Sequence, residues 1–525
     1  MYFYGMFKEP QYGRTRNSLR NSATALILQV VAMLIGFFSR RIFIRVLGVE
    51  VMGLNTTASS ILDFLNLAEL GIETAVAVTL YKPLFNRDEQ SIKEIVALQG
   101  RLYRIIGTFV LLGSLVVFCF MPRIFGKSPL PIWYAYATYG VLLYSSLLWY
   151  FFNYKKNVLF ADQKNYKVLL CTKLVALVKL ILQTLAVLYL DHGYIWWLAL
   201  EALSATVSAI LIGIIVNRNY PFLKEKVQVT KALREKYPDI IQKTKYIAFH
   251  KLGGYAVAKS SPIFIYAFTS LAVVGCYGNY LILTTNLTAI LTALYSGVSS
   301  GIGNMVVEGN KKLVMKVFRE LFSSRMLIVG VCCLCLWFLT DPFVSIWLGP
   351  EYVLKHTTLA LIIFQFYISN TRNVVDDYLT AHGLFHDIWS PIAEAAINVC
   401  LSILLGRRYG IDGVLLGVLI SQLIITFSWK PFFLFRSALH EPLSFYITLY
   451  ARCLVPGIVA FAALYSLLPR LPIDPSASIW NFLIYTVVTG VAALAIYGGL
   501  LSIWEDGLKD FTTRIVRVLK SNLLH

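Results

Sequence analysis

Ionisable and amide side chains recur at helical spacing within a part of the sequence that is otherwise apolar. In residues 51–80 the polar positions are three or four residues apart, which places them on one face of a helix. These positions are Asn55, Ser59, Asp63, Asn66, Glu69 and Glu73. Arg40, Arg41 and Arg45 come just before this stretch. Because ionisable side chains are costly in a bilayer, they usually face a bundle interior or a water-filled cavity there, as in a transporter.

The composition indicates a polytopic membrane protein. Of the 525 residues, 58% are hydrophobic and 14% are charged, and the mean hydropathy is +0.67. A spanning helix needs about 20 predominantly apolar residues, and the sequence offers about 14 such stretches, so we predict an all-α protein with about 14 transmembrane helices. The first residues, MYFYGMFKEPQYGRTR, are aromatic and basic. They favour a segment lying on the membrane surface over a cleavable signal peptide.

Lysine and arginine are concentrated in alternate loops. The loops at 155–167, 218–236 and 311–319 are rich in them, whereas those at 191–193 and 269–271 have none. By the positive-inside rule, this asymmetry places the basic loops and both termini in the cytoplasm. The net charge of +19 mostly reflects this asymmetry and an attraction to anionic lipid. Because the charge is divided among short loops, we expect no nucleic-acid partner.

The sequence lacks the motifs that carry enzymatic or metal chemistry. All eight cysteines lie in predicted spans, and the cluster at Cys332, Cys333 and Cys335 has neither a nearby histidine nor zinc-site spacing. No phosphate-binding glycine loop, dinucleotide motif or catalytic triad stands in the required context. We therefore expect no metal, no prosthetic group and no enzymatic activity.

The two halves of the sequence resemble each other at an offset near 220 residues. The tripeptide at 42–44 returns at 263–265, and the segment at 157–165 corresponds to that at 373–383. Six predicted spans separate equivalent positions, so the repeats should point the same way. This predicts two similar six-helix lobes related by an axis along the membrane normal, with the substrate between them.

The repeat and the loops together give a predicted domain organisation. It consists of an interfacial segment (1–20), an N-terminal lobe (21–217), a cytoplasmic linker (218–244), a C-terminal lobe (245–438), a terminal helical hairpin (439–508) and a basic cytoplasmic tail (509–525).

Several motifs together resemble the bacterial polysaccharide repeat-unit flippases, which export O-antigen and capsule precursors. They are GLNTTASSILDFLNLAELGIETAVAVTLYKPL from residue 53, HKLGG at 250–254, VGCYGNY at 274–280, GIGNMVVEG at 301–309, PFVSIWLG at 342–349 and PIAEAAINVCLSILL at 391–405. These flippases belong to the multidrug/oligosaccharidyl-lipid/polysaccharide (MOP) exporter superfamily. The resemblance implies alternating-access transport of undecaprenyl-diphosphate-linked oligosaccharide across the bacterial inner membrane. The implied partners are the lipid-linked oligosaccharide, membrane lipids, glycosyltransferases and a polysaccharide polymerase.

This cargo would need cations for its diphosphate, hydroxyl and aromatic groups for its sugars, and carboxylates for coupling to H⁺ or Na⁺. A planar guanidinium matches phosphate oxygens best, and the diphosphate candidates are Arg40, Arg41, Arg45, Lys259 and Arg372. The sugar candidates are Tyr277, Thr284, Thr288 and Tyr295. The candidates for ion coupling or charge balance are Asp63, Glu69, Glu73, Asp376, Glu394 and Asn398.

Each set also has a structural interpretation. Arg45 would snorkel towards the membrane surface, and Arg372 would pair with Asp376 at i+4. The threonines would bond their own helix backbone, and the carboxylates would neutralise the arginines.

Other functions fit the sequence less well. A drug or cation exporter of the same fold should have an acid-dominated cavity, whereas the basic residues here are at least as prominent. A glycan polymerase or ligase usually needs a large external loop, and the longest loop here, 218–244, is predicted to be cytoplasmic. A purely structural membrane protein leaves the buried polar stripes unexplained.

The predicted orientation can be tested by cysteine accessibility. A cysteine introduced at Asn310 should react with a membrane-impermeant maleimide only from the cytoplasmic side, because it lies in a basic loop. A cysteine at Ser128 should react from outside. Labelling of position 310 in intact cells would show that the orientation is inverted.

Overall fold

The computed structural model describes residues 31–69, 71–162, 164–225, 227–238, 240, 244, 259–308, 310–384 and 387–523. Within these ranges every regular element is a helix and no residue forms a strand, which confirms the predicted all-α polytopic class. Seven helical stretches of the described chain are long and apolar enough to cross a membrane. The predicted interfacial segment 1–20 lies outside the described residues.

The chain forms two compact units, Met1–Lys251 and Leu252–His525. The described helices of the first unit are α1 (31–47), α2 (Val49–Leu65), α3 (Ile72–Asn86), α4 (Glu89–Phe125), α5 (Ile132–Phe151), α6 (Asn157–Ala161), α7 (Asn165–Tyr189), α8 (Gly193–Asn219) and α9 (Lys231–Lys236). Short 3₁₀ turns occur at Asn66–Glu69, Asn153–Lys156 and Pro221–Lys224. The lobe boundaries predicted from the repeat stay predictions.

The single polar helix predicted over residues 51–80 is wrong. It ends at Leu65, continues as the 3₁₀ turn Asn66–Glu69, and restarts as α3 at Ile72. The break is enforced by Gly71, whose φ of 97° lies in the left-handed region that only glycine adopts without strain. The six polar residues therefore cannot share one continuous helical face.

The described helices of the second unit are α10 (259–268), α11 (Leu271–Val307), α12 (Lys311–Trp347), α13 (His356–Thr371), α14 (Asn373–Ala381), α15 (Trp389–Ser421), α16 (Lys430–Leu434), α17 (Leu443–Leu467), α18 (Ile479–Trp504) and α19 (Asp506–Leu523). Two π-helical segments, Gln422–Trp429 and Phe435–Leu439, flank α16. A left-handed Gly410 (φ 59°, ψ −130°) interrupts α15 where the sequence predicts a turn between two spans.

Several described helices are longer than a membrane span requires. Helices α4 and α12 each contain 37 residues. Both begin with a polar cap: Asp88 accepts a hydrogen bond from the Ser91 backbone N–H, and Asn310 accepts one from that of Leu313. Such caps satisfy backbone groups that the first helical turn leaves without partners.

Aromatic side chains form the centre of the second unit's core. The Phe318 ring makes edge-to-face contacts with Tyr378 at 5.0 Å and with Phe435 at 5.5 Å, and Phe322 packs in the same way on Tyr446 at 5.5 Å. Each such pair contributes about 0.5–1.5 kcal/mol beyond its buried area. These contacts join α12 to α14 and to the segments on both sides of residue 440.

The predicted basic tail is a helix, α19, that docks on α12 through ion pairs whose carboxylates are buried. The Glu505 carboxylate, fully buried just before α19, accepts a hydrogen bond from Arg319 Nε. The buried Glu320 carboxylate lies 3.0 Å from the Arg514 guanidinium. Because both carboxylates are buried, removing either arginine would weaken the compensation of a buried charge, although Glu505 also lies 3.9 Å from Arg452.

The closeness of α19 to α12 predicts that Gly507→Ala destabilises the protein. A Cβ at Gly507 would lie 2.9 Å from both the Arg319 carbonyl oxygen and Ser323 Oγ. We expect a cost of about 1–3 kcal/mol, the usual range for overpacking, measured as a lower thermal midpoint in detergent. The control is Gly490→Ala, whose Cβ would meet no atom within 4 Å. The control should be neutral or slightly stabilising because alanine favours helices. Equal midpoints for both variants would contradict the docking contact.

Candidate functional site

Arg41 and Arg45 lie four residues apart on α1, and both side chains are exposed. The opposite side of this helix contributes Phe43 and Ile44 to the core, so the helix is oriented by its apolar residues. No carboxylate of the described residues lies within 4.0 Å of either guanidinium. Arg40 is half-buried, away from the face that Arg41 and Arg45 share. The two exposed guanidinium groups could therefore bind one anion together.

The carboxylates predicted along one stripe occupy separate elements. Asp63 is half-buried on α2, whereas Glu69 ends the 3₁₀ turn and lies near Tyr103 and Lys156. Glu73 is in the first turn of α3, with its carboxylate 3.9 Å from Lys156 Nζ. Lys156 thus lies close to two of the three carboxylates. Its positive charge can balance theirs, which fits the charge-balance role predicted for Glu69 and Glu73.

Asn66 organises the polar break between α2 and α3. Its Oδ1 accepts hydrogen bonds from Ser146 Oγ at 3.1 Å and from Tyr150 Oη at 2.9 Å. Both donors are on α5, so the break is held against that helix. The polar stripe is therefore at least partly used to fix the packing of this unit.

The second unit contains a linked group of charges, here named the Arg372 cluster: Arg372, Asp376, Glu394, Thr426 and Lys430. Arg372 Nε donates to Asp376 Oδ2 at 2.8 Å, and Lys430 Nζ lies 3.3 Å from Asp376 Oδ1. Another Arg372 nitrogen donates to Thr426 Oγ1 at 3.0 Å, and that hydroxyl donates to Glu394 Oε1 at 2.8 Å. Two cations and two carboxylates are thereby connected, and their formal charges cancel.

The cluster depends on the π-helical segment Gln422–Trp429. This segment carries Thr426 and ends immediately before Lys430. A π-helical turn adds a residue to the turn and redirects the side chains around it, and such turns are frequent at functional sites. The sequence interpretation included Arg372, Asp376 and Glu394 but missed Thr426 and Lys430, because it assumed regular helical spacing.

Asn398 lies one turn beyond Glu394 and belongs to a neutral polar chain. Its Nδ2 donates to Ser260 Oγ at 3.1 Å, and its Oδ1 accepts from Ser402 Oγ at 3.0 Å. All three residues are buried, so the hydrogen bonds replace lost hydration. Lys259, next to Ser260, is half-buried at the start of the described part of α10.

The predicted sugar-binding residues on α11 are largely engaged within the second unit. Tyr277 is buried, and the Thr284 hydroxyl donates to the Leu281 carbonyl at 3.1 Å. Thr288 Oγ1 accepts from Asn370 Nδ2 at 3.2 Å. The Tyr295 ring is buried beneath the Arg325 guanidinium, 4.5 Å away. These contacts match the packing alternative, while a sugar-binding role stays a prediction.

Three further charged residues were missed because the sequence interpretation looked for stripes of polar residues and passed over isolated charges. Arg325 on α12 is only 3% exposed and donates from Nε to the Asn370 carbonyl at 2.7 Å. Lys179 on α7 pairs with both oxygens of Glu201 on α8, at 2.9 and 3.0 Å. Single charges inside apolar runs would have been the signal for all three. In the described part of the chain, no three His, Cys, Asp or Glu side chains are arranged to hold a metal ion.

No protein-family model matches the sequence, and no curated protein matches it by sequence. Solved structures do share its fold. The lipid II flippase MurJ in an inward closed conformation superposes with a TM-score of 0.64 at 14% identity, covering 91% of this chain and 98% of that one. An inward-facing MATE family multidrug resistance transporter of the MOP superfamily gives 0.59 at 14% identity, with coverages of 80% and 99%. A MOP superfamily transporter from Pyrococcus furiosus gives 0.53 at 15% identity, with coverages of 80% and 97%. The chain therefore has the fold of these MOP transporters.

The geometry of the Arg372 cluster predicts that Thr426→Val destabilises the protein. The substitution removes the hydroxyl between Arg372 and Glu394 and leaves the buried Glu394 carboxylate without that donor. We expect a loss of about 1.5–3 kcal/mol, the range for hydrogen bonds to charged groups, seen as a lower thermal midpoint. The control is Thr489→Val, because Thr489 is equally buried and its hydroxyl has no partner among the described residues. Its midpoint should stay the same or rise, and an equal loss in both variants would contradict the bridging role.

Proposed function

We propose that this protein is a flippase of the bacterial inner membrane, with both termini in the cytoplasm. It would translocate undecaprenyl-diphosphate-linked oligosaccharide repeat units by alternating access for surface polysaccharide synthesis. The observation that carries this proposal is the pair Arg41 and Arg45. Both guanidinium groups are exposed on one face of an apolar helix, and neither lies within 4.0 Å of a carboxylate of the described residues.

An arginine pair of this kind fits a diphosphate. Two cations on a membrane helix that have no nearby carboxylate among the described residues are costly, and a bound dianion would remove much of that cost. Each guanidinium can form two parallel hydrogen bonds with phosphate oxygens, so positions i and i+4 on one face suit two adjacent phosphates. The Arg372 cluster, by contrast, already compensates its charges internally.

The fold supports the same class of activity. One structure with this fold bears the name of a lipid II flippase, and this chain covers 98% of its length. We propose that glycosyltransferases supply the cargo and that a polymerase consumes it.

Coupling to H⁺ or Na⁺ would fall to the carboxylates and amides within the units. Glu394 and Asn398 are buried one turn apart on α15, and Asp376 is held between Arg372 and Lys430. Protonation or cation binding at such a site changes the local charge by one unit, which alters the hydrogen bonds that join α14, α15 and the π-helical segment.

The alternative is an exporter of drugs or other cations, since a multidrug resistance transporter shares the fold. Exposed arginines on a transport helix would repel cationic drugs. An anionic cargo is therefore favoured by the same residues that support the flippase.

The proposal predicts that an Arg41→Ala/Arg45→Ala double variant loses surface polysaccharide while remaining folded in the membrane. The matching Lys/Lys variant should restore it only in part, because an ammonium keeps the charge but lacks the two-pronged geometry. Surface glycan on intact cells is the readout, with membrane abundance and thermal midpoint measured in parallel.

The matched control is Arg123→Ala/Arg470→Ala, which removes two exposed arginines from helix ends. It should leave surface glycan unchanged. Full surface glycan in the Arg41/Arg45 variant would refute the proposed role. Drug efflux that depends on the protein, with glycan unaffected, would favour the exporter.

A further inference from the structure

A cavity of about 240 Å³ opens within the first unit, between the turn Asn153–Lys156 and helix α8. The turn directly follows α5, and its lysines belong to a loop that the charge asymmetry places on the cytoplasmic side. Ile212, Gly213 and Val216 form the opposite wall. The cavity therefore combines a polar end at the predicted cytoplasmic surface with an apolar wall.

Gly213 creates part of this space. A Cβ built on this residue would meet no heavy atom within 4 Å, although the neighbouring Ile212 and Val216 are buried. An added Cβ at position 213 would therefore enter open volume. A leucine at this position is expected to occupy part of the cavity.

Lys155 is the chemically distinctive residue of the lining. Its ammonium donates to the Leu223 carbonyl at 2.8 Å, and no carboxylate of the described residues lies within 4.0 Å of it. Burial lowers the pKa of Lys155 below its ordinary value. The adjacent Lys156 differs, because it lies 3.9 Å from Glu73 and near Glu69, and its ammonium stands over the Trp149 ring at 4.4 Å. Lys155 is therefore the lysine of this lining that has no carboxylate partner among the described residues.

The apolar flank indicates that an anion bound at this lysine would be part of an amphiphile. Phe152 lines the cavity and is 67% exposed beside the charged turn. Basic pockets at the cytoplasmic ends of transmembrane helices are suited to anionic lipid head groups. A free phosphate would compensate Lys155 but leave the exposed Phe152 ring without an apolar partner.

We propose that this cavity binds an anionic phospholipid of the cytoplasmic leaflet. Its phosphate would bind Lys155, and the amides of Asn153 and Asn217 would bond its polar head group. Its glycerol backbone and first methylene groups would lie against Phe152 and the α8 wall. This site is separate from the arginine pair on α1, and it does not depend on the identity of the transported cargo.

The test uses the purified, delipidated full-length protein in detergent. Native mass spectrometry and thermal shift measure the binding of phosphatidylglycerol, with phosphatidylcholine and inorganic phosphate as comparison probes. Phosphatidylglycerol should bind and raise the thermal midpoint more than phosphatidylcholine does. Lys155→Gln and Gly213→Leu should each weaken phosphatidylglycerol binding about tenfold or more, the first by removing a charge-assisted bond and the second by filling the cavity.

Matched controls separate this site from general effects of charge and bulk. Lys167→Gln removes a lysine of the same loop whose ammonium is bonded to Asn219 at 2.7 Å. Gly490→Leu adds the same bulk at another open helix position. Both should bind phosphatidylglycerol as the parent protein does. Equal binding of both lipids, unchanged binding by Lys155→Gln, or full displacement of the lipid by inorganic phosphate would each overturn the proposal.

Discussion

A charged side chain loses its hydration when the helix that carries it enters a bilayer, and the protein must supply the compensation. This requirement accounts for several ion pairs and charge-assisted hydrogen bonds within the two units. Lys179 is held by Glu201, Asp376 by Arg372 and Lys430, and Arg325 by a backbone carbonyl and an aromatic face. Apolar packing fixes the helices, but these pairs determine which helices can be neighbours.

The same requirement separates residues that hold the structure together from residues available to a ligand. A charge with partners on two neighbouring elements, such as Arg372, stabilises one arrangement of helices and has little left for a cargo. Arg41 and Arg45 differ because their helix is already anchored by Phe43 and Ile44 on its other side. Local compensation, more than residue type, thus distinguishes a binding arginine from a structural one.

Fold class could be predicted from the sequence because hydropathy and the spacing of charged loops act over tens of residues. Local departures from regular α-helical geometry could not be predicted from the sequence. The break after Leu65 depends on one left-handed glycine, and the position of Thr426 depends on a π-helical turn, neither of which leaves a periodic signal. The pairing of Arg372 with Asp376 was foreseeable from i+4 spacing, whereas Lys430 joins them from 54 residues away. Long-range contacts of this kind depend on packing that a single sequence does not display.

The length of α4 and α12 has a mechanical consequence. A helix of 37 residues is about 55 Å long, whereas the hydrocarbon core is about 30 Å thick. Each helix is therefore about 25 Å longer than the core is thick, and its capped N-terminal end lies on the side predicted to be cytoplasmic. Because helices resist bending, a small tilt within the membrane becomes a larger sideways displacement at the capped end. A cytoplasmic protein that bound either capped end could therefore tilt the membrane-spanning part of the helix with a smaller force than one acting close to the membrane.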